Sequence, residues 1–263
     1  MNRNQIRVCY QKAVSLFNEK MGTDYSVENP KLFLVNRDNV SSVLDEIAAL
    51  TGQNTSISTY TVKGKSFLDE ALAEAFVGDL ADAVAVNFPF VRHQDEESLV
   101  FEFMHELGHV FVLHQEWNGV IFAEHYYDDN PDHTRIRTGY EIWKEFIADY
   151  IAMNVCGRKS YLICEAYSYL QQEAKQLNPV INPYYYRSLS SYLVNLLYSR
   201  EAKRGWDSLK KAMTSYKLPY SGLTEILIEH MSAQSYWKID EEFLDNIGDL
   251  YVADAIKSFI PAA

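Results

Sequence analysis

Along the first third of the chain the spacing of apolar residues switches between helical and alternating. Ile6, Val8, Cys9, Ala13, Val14, Leu16 and Phe17 recur at helical spacing over residues 4–20, and Gly22 stands where such a helix stops. KLFLVN (31–36) is a short apolar run. After it, Asp38 can cap a helix that Val43, Leu44, Ile47, Ala48 and Leu50 continue to Gly52. SISTYTV (56–62) is rich in β-branched residues and predicts a strand, and residues 66–77 predict another helix. DAVAVNF (82–88) alternates as a strand that Pro89 cuts short. Asp95 and Ser98 then open a long apolar-periodic helix, DEESLVFEFMHELGHVFVLHQ, expected to end near Gly119.

Residues 124–139 (EHYYDDNPDHTRIRTG) are polar, hold Asp, Asn and Pro, and read as a loop. Helical spacing resumes from Tyr140 to Val155 and closes at Gly157, a position for a left-handed cap. From 160 onward the periods are helical, with breaks at Asn178-Pro179, Asn182-Pro183, Gly205, Pro219 and Gly222. The expected fold is α+β and predominantly helical. Residues 1–158 form a domain with a small twisted sheet, and an all-helical region, 159–263, packs on it.

Composition narrows the classes of function. A net charge of −12 opposes general attraction to nucleic acid or an anionic membrane surface. The basic run Arg200, Lys203, Arg204, Lys210 and Lys211 reads as a solvated helix face. Cys9, Cys156 and Cys164 are odd in number and lack metal-ligand spacing, which suits buried thiols in a reducing compartment. The amino terminus has no continuous apolar stretch of the kind that directs secretion, and no run approaches the roughly 18–20 apolar residues that span a bilayer. The expectation is a cytoplasmic protein. Most of the nineteen tyrosines are expected to pack helices, with Tyr167, Tyr169, Tyr184, Tyr185, Tyr186 and Tyr192 as the alternative lining of a groove.

The chemistry concentrates in two segments. His105-Glu106-Leu107-Gly108-His109 is an HExxH motif within a predicted helix. Residues four apart share a helical face, so His105 and His109 can approach one zinc ion, while Glu106 points beside it as the general base. A catalytic zinc of this kind needs a third protein ligand. Glu145 and Asp149 lie four apart among Ile142, Trp143, Phe146, Ile147 and Tyr150. Glu145 can complete a two-histidine, one-glutamate site, and Asp149 can accept the free N–H of a ligating histidine. Glu141 competes for the third position, and Glu141, Glu145 and Asp149 could instead form a solvated stripe. His125, Tyr126, Tyr127, His133, Tyr140 and His230 are candidates to stabilise an oxyanion, and the sequence does not choose among them. His114, five residues after His109, falls off the ligand face.

HELGH followed by EFIAD resembles the gluzincin metallopeptidases, and more narrowly the ImmA/IrrE-type family of intracellular bacterial and phage enzymes. AVAVNFPF (83–90), LVFEFMHELGHVF (99–111) and EFIADYIA (145–152) follow that family's order, over roughly residues 30–155. The resemblance implies a metallopeptidase core with an active-site helix, a zinc cofactor, and a protein substrate such as a repressor or regulatory partner cleaved at one site. The expected reaction is hydrolysis of a peptide bond by a zinc-activated water. Strand 82–88 could pair with the substrate backbone. The rival expectation is a catalytically idle zinc module that binds a partner or acts as a toxin-like effector, and the intact base Glu106 counts against it.

Overall fold

The computed structural model describes residues 1–52, 72–78, 80–115, 130, 133–157, 167–172, 184–232 and 239–259. They fall into two compact units, Met1–His114 with Ile151–Gly157, and Gln115–Tyr150 with Arg158–Ala263.

The first unit opens with α1 (Arg3–Met21), whose start is fixed by reciprocal capping. The Asn2 side chain accepts from the Gln5 amide at 2.9 Å, and the Gln5 side chain accepts from the Asn2 amide at 2.8 Å. Gly22 ends the helix at φ 70°, a left-handed conformation that suits glycine. Strand β1 (Lys31–Val35) leads to helix α2 (Val40–Thr51). The residue flanking α2 is Asn39 and not Asp38 as expected. Its side chain accepts from the Asn36 amide at 2.7 Å and donates to the Leu34 carbonyl at 3.0 Å, so it closes the turn after β1.

Strands β2 (Ala73–Phe76) and β3 (Ala83–Asn87) complete a mixed sheet of order β1-β3-β2. β1 runs parallel to β3 with Phe33 opposite Ala85, and β2 runs antiparallel to it with Ala75 opposite Val84. The helix expected over 66–77 is thus a strand at its described end. The run AEAF favours a helix locally, yet β3 offers it a hydrogen-bonding edge, and tertiary context overrides propensity. The strand expected at 56–62 lies outside the described residues. β3 is central and bonded on both edges, so it cannot also take a substrate strand, and that expectation is corrected. All five β3 residues are buried, which explains its unbroken apolar run AVAV. On one face Phe33, Val35, Ala83 and Ala85 pack with Val43, Leu44 and Ile47 of α2.

Pro89 does not simply stop β3; it lies in the first turn of a short helix, α3 (Phe88–Val91), where its missing N–H costs nothing. The long helix α4 (Glu96–Leu113) follows and ends six residues before Gly119. It packs along α1, with the Tyr10 and Phe103 rings edge to face at 5.1 Å. Tyr10 donates its hydroxyl to the Pro30 carbonyl at 2.6 Å.

Helix α5 (Thr134–Cys156) contributes residues to both units. It starts six residues before Tyr140, so 134–139 is helix where a loop was expected; 124–129 lies outside the described residues. Gly157 closes it at φ 60° as expected.

The second unit adds α6 (Tyr184–Leu197), a 3-10 turn (Ala202–Arg204), α7 (Trp206–Tyr216), α8 (Ser221–Met231) and α9 (Glu241–Phe259). Gly205 and Pro219 do mark breaks, whereas Gly222 lies inside α8. Tyr185, Tyr186 and Tyr192 are buried in its core with Tyr220 and Tyr251, as the packing role requires, while Tyr169 is exposed. Arg200, Lys203, Arg204 and Lys211 are exposed, as a solvated face requires.

Gly139 of α5 and Gly248 of α9 mark a close helix crossing that the loop reading missed. A Cβ at Gly139 would stand 1.9 Å from the Leu244 carbonyl oxygen, and one at Gly248 would stand 2.1 Å from that of Arg135. Beside the crossing, Arg135 pairs with Asp245 at 3.1 Å. Gly139→Ala should therefore force α5 and α9 apart and destabilise the fold by roughly 1–3 kcal/mol. An unchanged melting temperature would show that the helices do not cross so closely.

Burial is the largest influence on the phenols of Tyr10, Tyr192 and Tyr220, and it pushes each well above the ordinary tyrosine value. In the unfolded chain they ionise near pH 10, so the unfolded state loses protons first. Stability should be fully present below that pH and fall as pH rises past it. An ultraviolet titration should show these phenols ionising together with loss of helical circular dichroism; ionisation without unfolding would contradict their burial.

Candidate metal centre

α4 carries His105, Glu106 and His109, and all three are buried, at 2%, 4% and 8% exposure. The helix frame is set at its start, where Asp95 accepts from both the Ser98 amide and hydroxyl at 2.8 Å. Glu96 and Glu97 add negative charge at the positive end of the helix dipole. Four residues advance a helix by slightly more than one turn, so His105 and His109 share a face, and Glu106 is turned about 100° from His105. The two rings meet edge to face, with centroids 4.4 Å apart and planes at 88°.

α5 carries the acids. Ile142, Trp143, Phe146, Ile147 and Ile151 are fully buried along it. The side chains of Glu141, Glu145 and Asp149 keep 25%, 20% and 2% exposure, so they do not form a solvated stripe. Glu141 pairs with Lys144 at 2.8 Å. Burial works against the Lys144 charge, but Glu141 and Glu145 outweigh it and hold the ammonium above the usual lysine value.

Asp149 Oδ2 accepts hydroxyl bonds from Ser190 at 2.7 Å and Ser191 at 3.2 Å, and Oδ1 lies 3.1 Å from Arg187 Nη1. The same Nη1 lies 3.7 Å from Glu145 Oε2. A carboxylate this deeply buried requires such donors. The sequence reading singled out none of the three. Their signal is the polar trio Arg187, Ser190 and Ser191, three and four apart on one face of α6.

Among the described residues, one group of metal-ligating type has donor atoms close enough to share an ion: His105, His109 and Glu145, all within 4.8 Å of one another. Donor atoms around a tetrahedral zinc stand about 3.3 Å apart. Two buried imidazoles and one carboxylate are a donor set suited to a divalent transition metal. The residues present therefore fit a metal ion, and Glu145 rather than Glu141 is the acid brought to the histidines.

The other sequence candidates divide clearly. His114 Nε2 lies 2.9 Å from both carboxylate oxygens of buried Asp82. His230 stacks on Phe243 at 3.9 Å and meets Trp143 edge to face at 5.1 Å, as a core aromatic would. Tyr140 is buried on α5, and His133 lies 3.4 Å from the Asn130 amide nitrogen. His125, Tyr126 and Tyr127 lie outside the described residues.

No family model, curated protein or solved structure matches this chain.

Replacing Glu145 by alanine should greatly reduce the metal bound per chain in elemental analysis, while Glu141→Ala should leave it unchanged. The reverse pattern would move the third ligand to Glu141.

Proposed function

We propose that this protein is a zinc-dependent endopeptidase that hydrolyses a peptide bond in a protein substrate, with His105, His109 and Glu145 holding the metal. The observation that carries this reading is the convergence of those three donors next to the buried carboxylate of Glu106 on α4. A bound zinc would supply a Lewis acid that polarises the scissile carbonyl and lowers the pKa of water.

Glu106 takes a proton onto its carboxylate as the water oxygen bonds to the carbonyl carbon. It then gives that proton to the amide nitrogen as the C–N bond breaks, leaving a carboxylate and an amine. Glu106 keeps only 4% exposure, which limits the bulk water that competes for its carboxylate. Asp149 would accept the second ring N–H of a ligating histidine, which would select the ring tautomer. Two imidazoles and one carboxylate also suit ferrous iron. Glu106 favours hydrolysis, because that reaction needs a base beside the metal and a binding module does not.

The substrate class follows from the likeness of HELGH and EFIAD to ImmA/IrrE-type enzymes, which points to a protein cleaved at one site and not to bulk peptide. The buried thiol of Cys9 suits the cytoplasmic location expected from the sequence. Among the described residues no helix is long and apolar enough to cross a membrane.

Glu106→Gln should bind zinc as the wild type does and lose about 10²–10⁴-fold in cleavage rate. The measurement is the appearance of new protein amino termini in a proteome digest treated with zinc-loaded enzyme. Identical termini and rates from the wild type and the variant would sink the peptidase reading.

A further inference from the structure

Glu145 stands one helical turn from a second carboxylate that cannot move away. Asp149 is held by two serine hydroxyls and is almost without solvent contact. Like charges four apart on a helix repel each other, and desolvation of Asp149 strengthens that repulsion. Glu145 is the movable member, because its longer side chain keeps 20% exposure. Left alone, the pair relaxes most simply when Glu145 rotates toward water and away from the histidines.

Arg187 opposes that rotation. One nitrogen, Nη1, lies 3.1 Å from Asp149 Oδ1 and 3.7 Å from Glu145 Oε2, so a single guanidinium spans both acids. Its planar, delocalised charge suits two carboxylates at once better than a point charge does. The other cation on this stretch, Lys144, makes its hydrogen bond to Glu141, and its charge also acts on Glu145 without bridging to Asp149. Ser190 and Ser191, three and four residues after Arg187 on α6, fix Asp149 as the fixed end of the bridge.

We propose that Arg187 is a positioning residue for the third metal ligand: it offsets the repulsion between Glu145 and Asp149 and keeps Glu145 turned toward the metal position. The role rests on the metal reading above, and it predicts a site whose affinity depends on a residue that never touches the ion.

The test is zinc affinity, measured by competition with a chromophoric chelator, for the wild type, Arg187→Ala and Arg187→Lys. Melting curves of the metal-free proteins run alongside. Arg187→Ala should bind zinc about 10–100-fold more weakly, the range for loss of a residue that orients a ligand. Arg187→Lys restores a positive charge and should recover part of that loss, which a purely structural role does not predict. If Arg187→Ala fails to fold, Arg187→Gln carries the same comparison, since it keeps amide donors without the charge. Wild-type affinity in Arg187→Ala, or no recovery in Arg187→Lys, would overturn the positioning role and leave the zinc reading standing. A wild-type protein that binds no zinc would overturn both.

Discussion

Among the described residues the carboxylates of Glu106 and Asp149 are buried on helices lined by apolar side chains, and the fold depends on how each is received. A buried carboxylate without donors or a cation costs several kcal/mol, more than one packing contact returns. Asp149, on an α5 segment otherwise lined by Trp143, Phe146 and Ile147, is tolerated because Ser190, Ser191 and Arg187 surround it. On α4 two imidazoles and Glu106 lie in sequence with Phe103, Met104, Leu107 and Val110, all of them buried. The group His105, His109 and Glu145, which could hold a metal ion, would give the polar residues of α4 a chemical use.

The helices that bear these residues are held by unrelated devices. α4 owes its frame to the Asp95 cap and its packing along α1. α5 is held within the second unit by the glycine-lined crossing with α9 and by Trp143 against His230 and Phe243. Metal chemistry needs donors placed to within fractions of an ångström, and rigid helices place them better than loops do.

The parts of this arrangement that were legible in the sequence are those with short-range signatures. HELGH within an apolar period identifies both a helix and two candidate ligands, because residue spacing and ligand geometry share one rule. ExxxD on a second helix reads in the same way. Arg187, Ser190 and Ser191 were not legible: their partner Asp149 lies about forty positions earlier, and spacing within α6 cannot name a partner on another helix. Gly139 fell within a segment read as loop because it is polar and holds Asp, Asn and Pro; its use is a close approach to the Leu244 backbone, which only the fold supplies. Ala73–Phe76 misled for the opposite reason, since good helix formers were drawn into a ladder by β3.

The central claim is that one metal ion is held jointly by His105, His109 and Glu145. Anomalous diffraction at the zinc edge from crystals of zinc-loaded protein tests it most directly. A single strong peak is expected at about 2.0–2.2 Å from one nitrogen of each histidine and from a Glu145 oxygen. A peak bound elsewhere, or one at the histidines with Glu145 turned away from it, would contradict the claim.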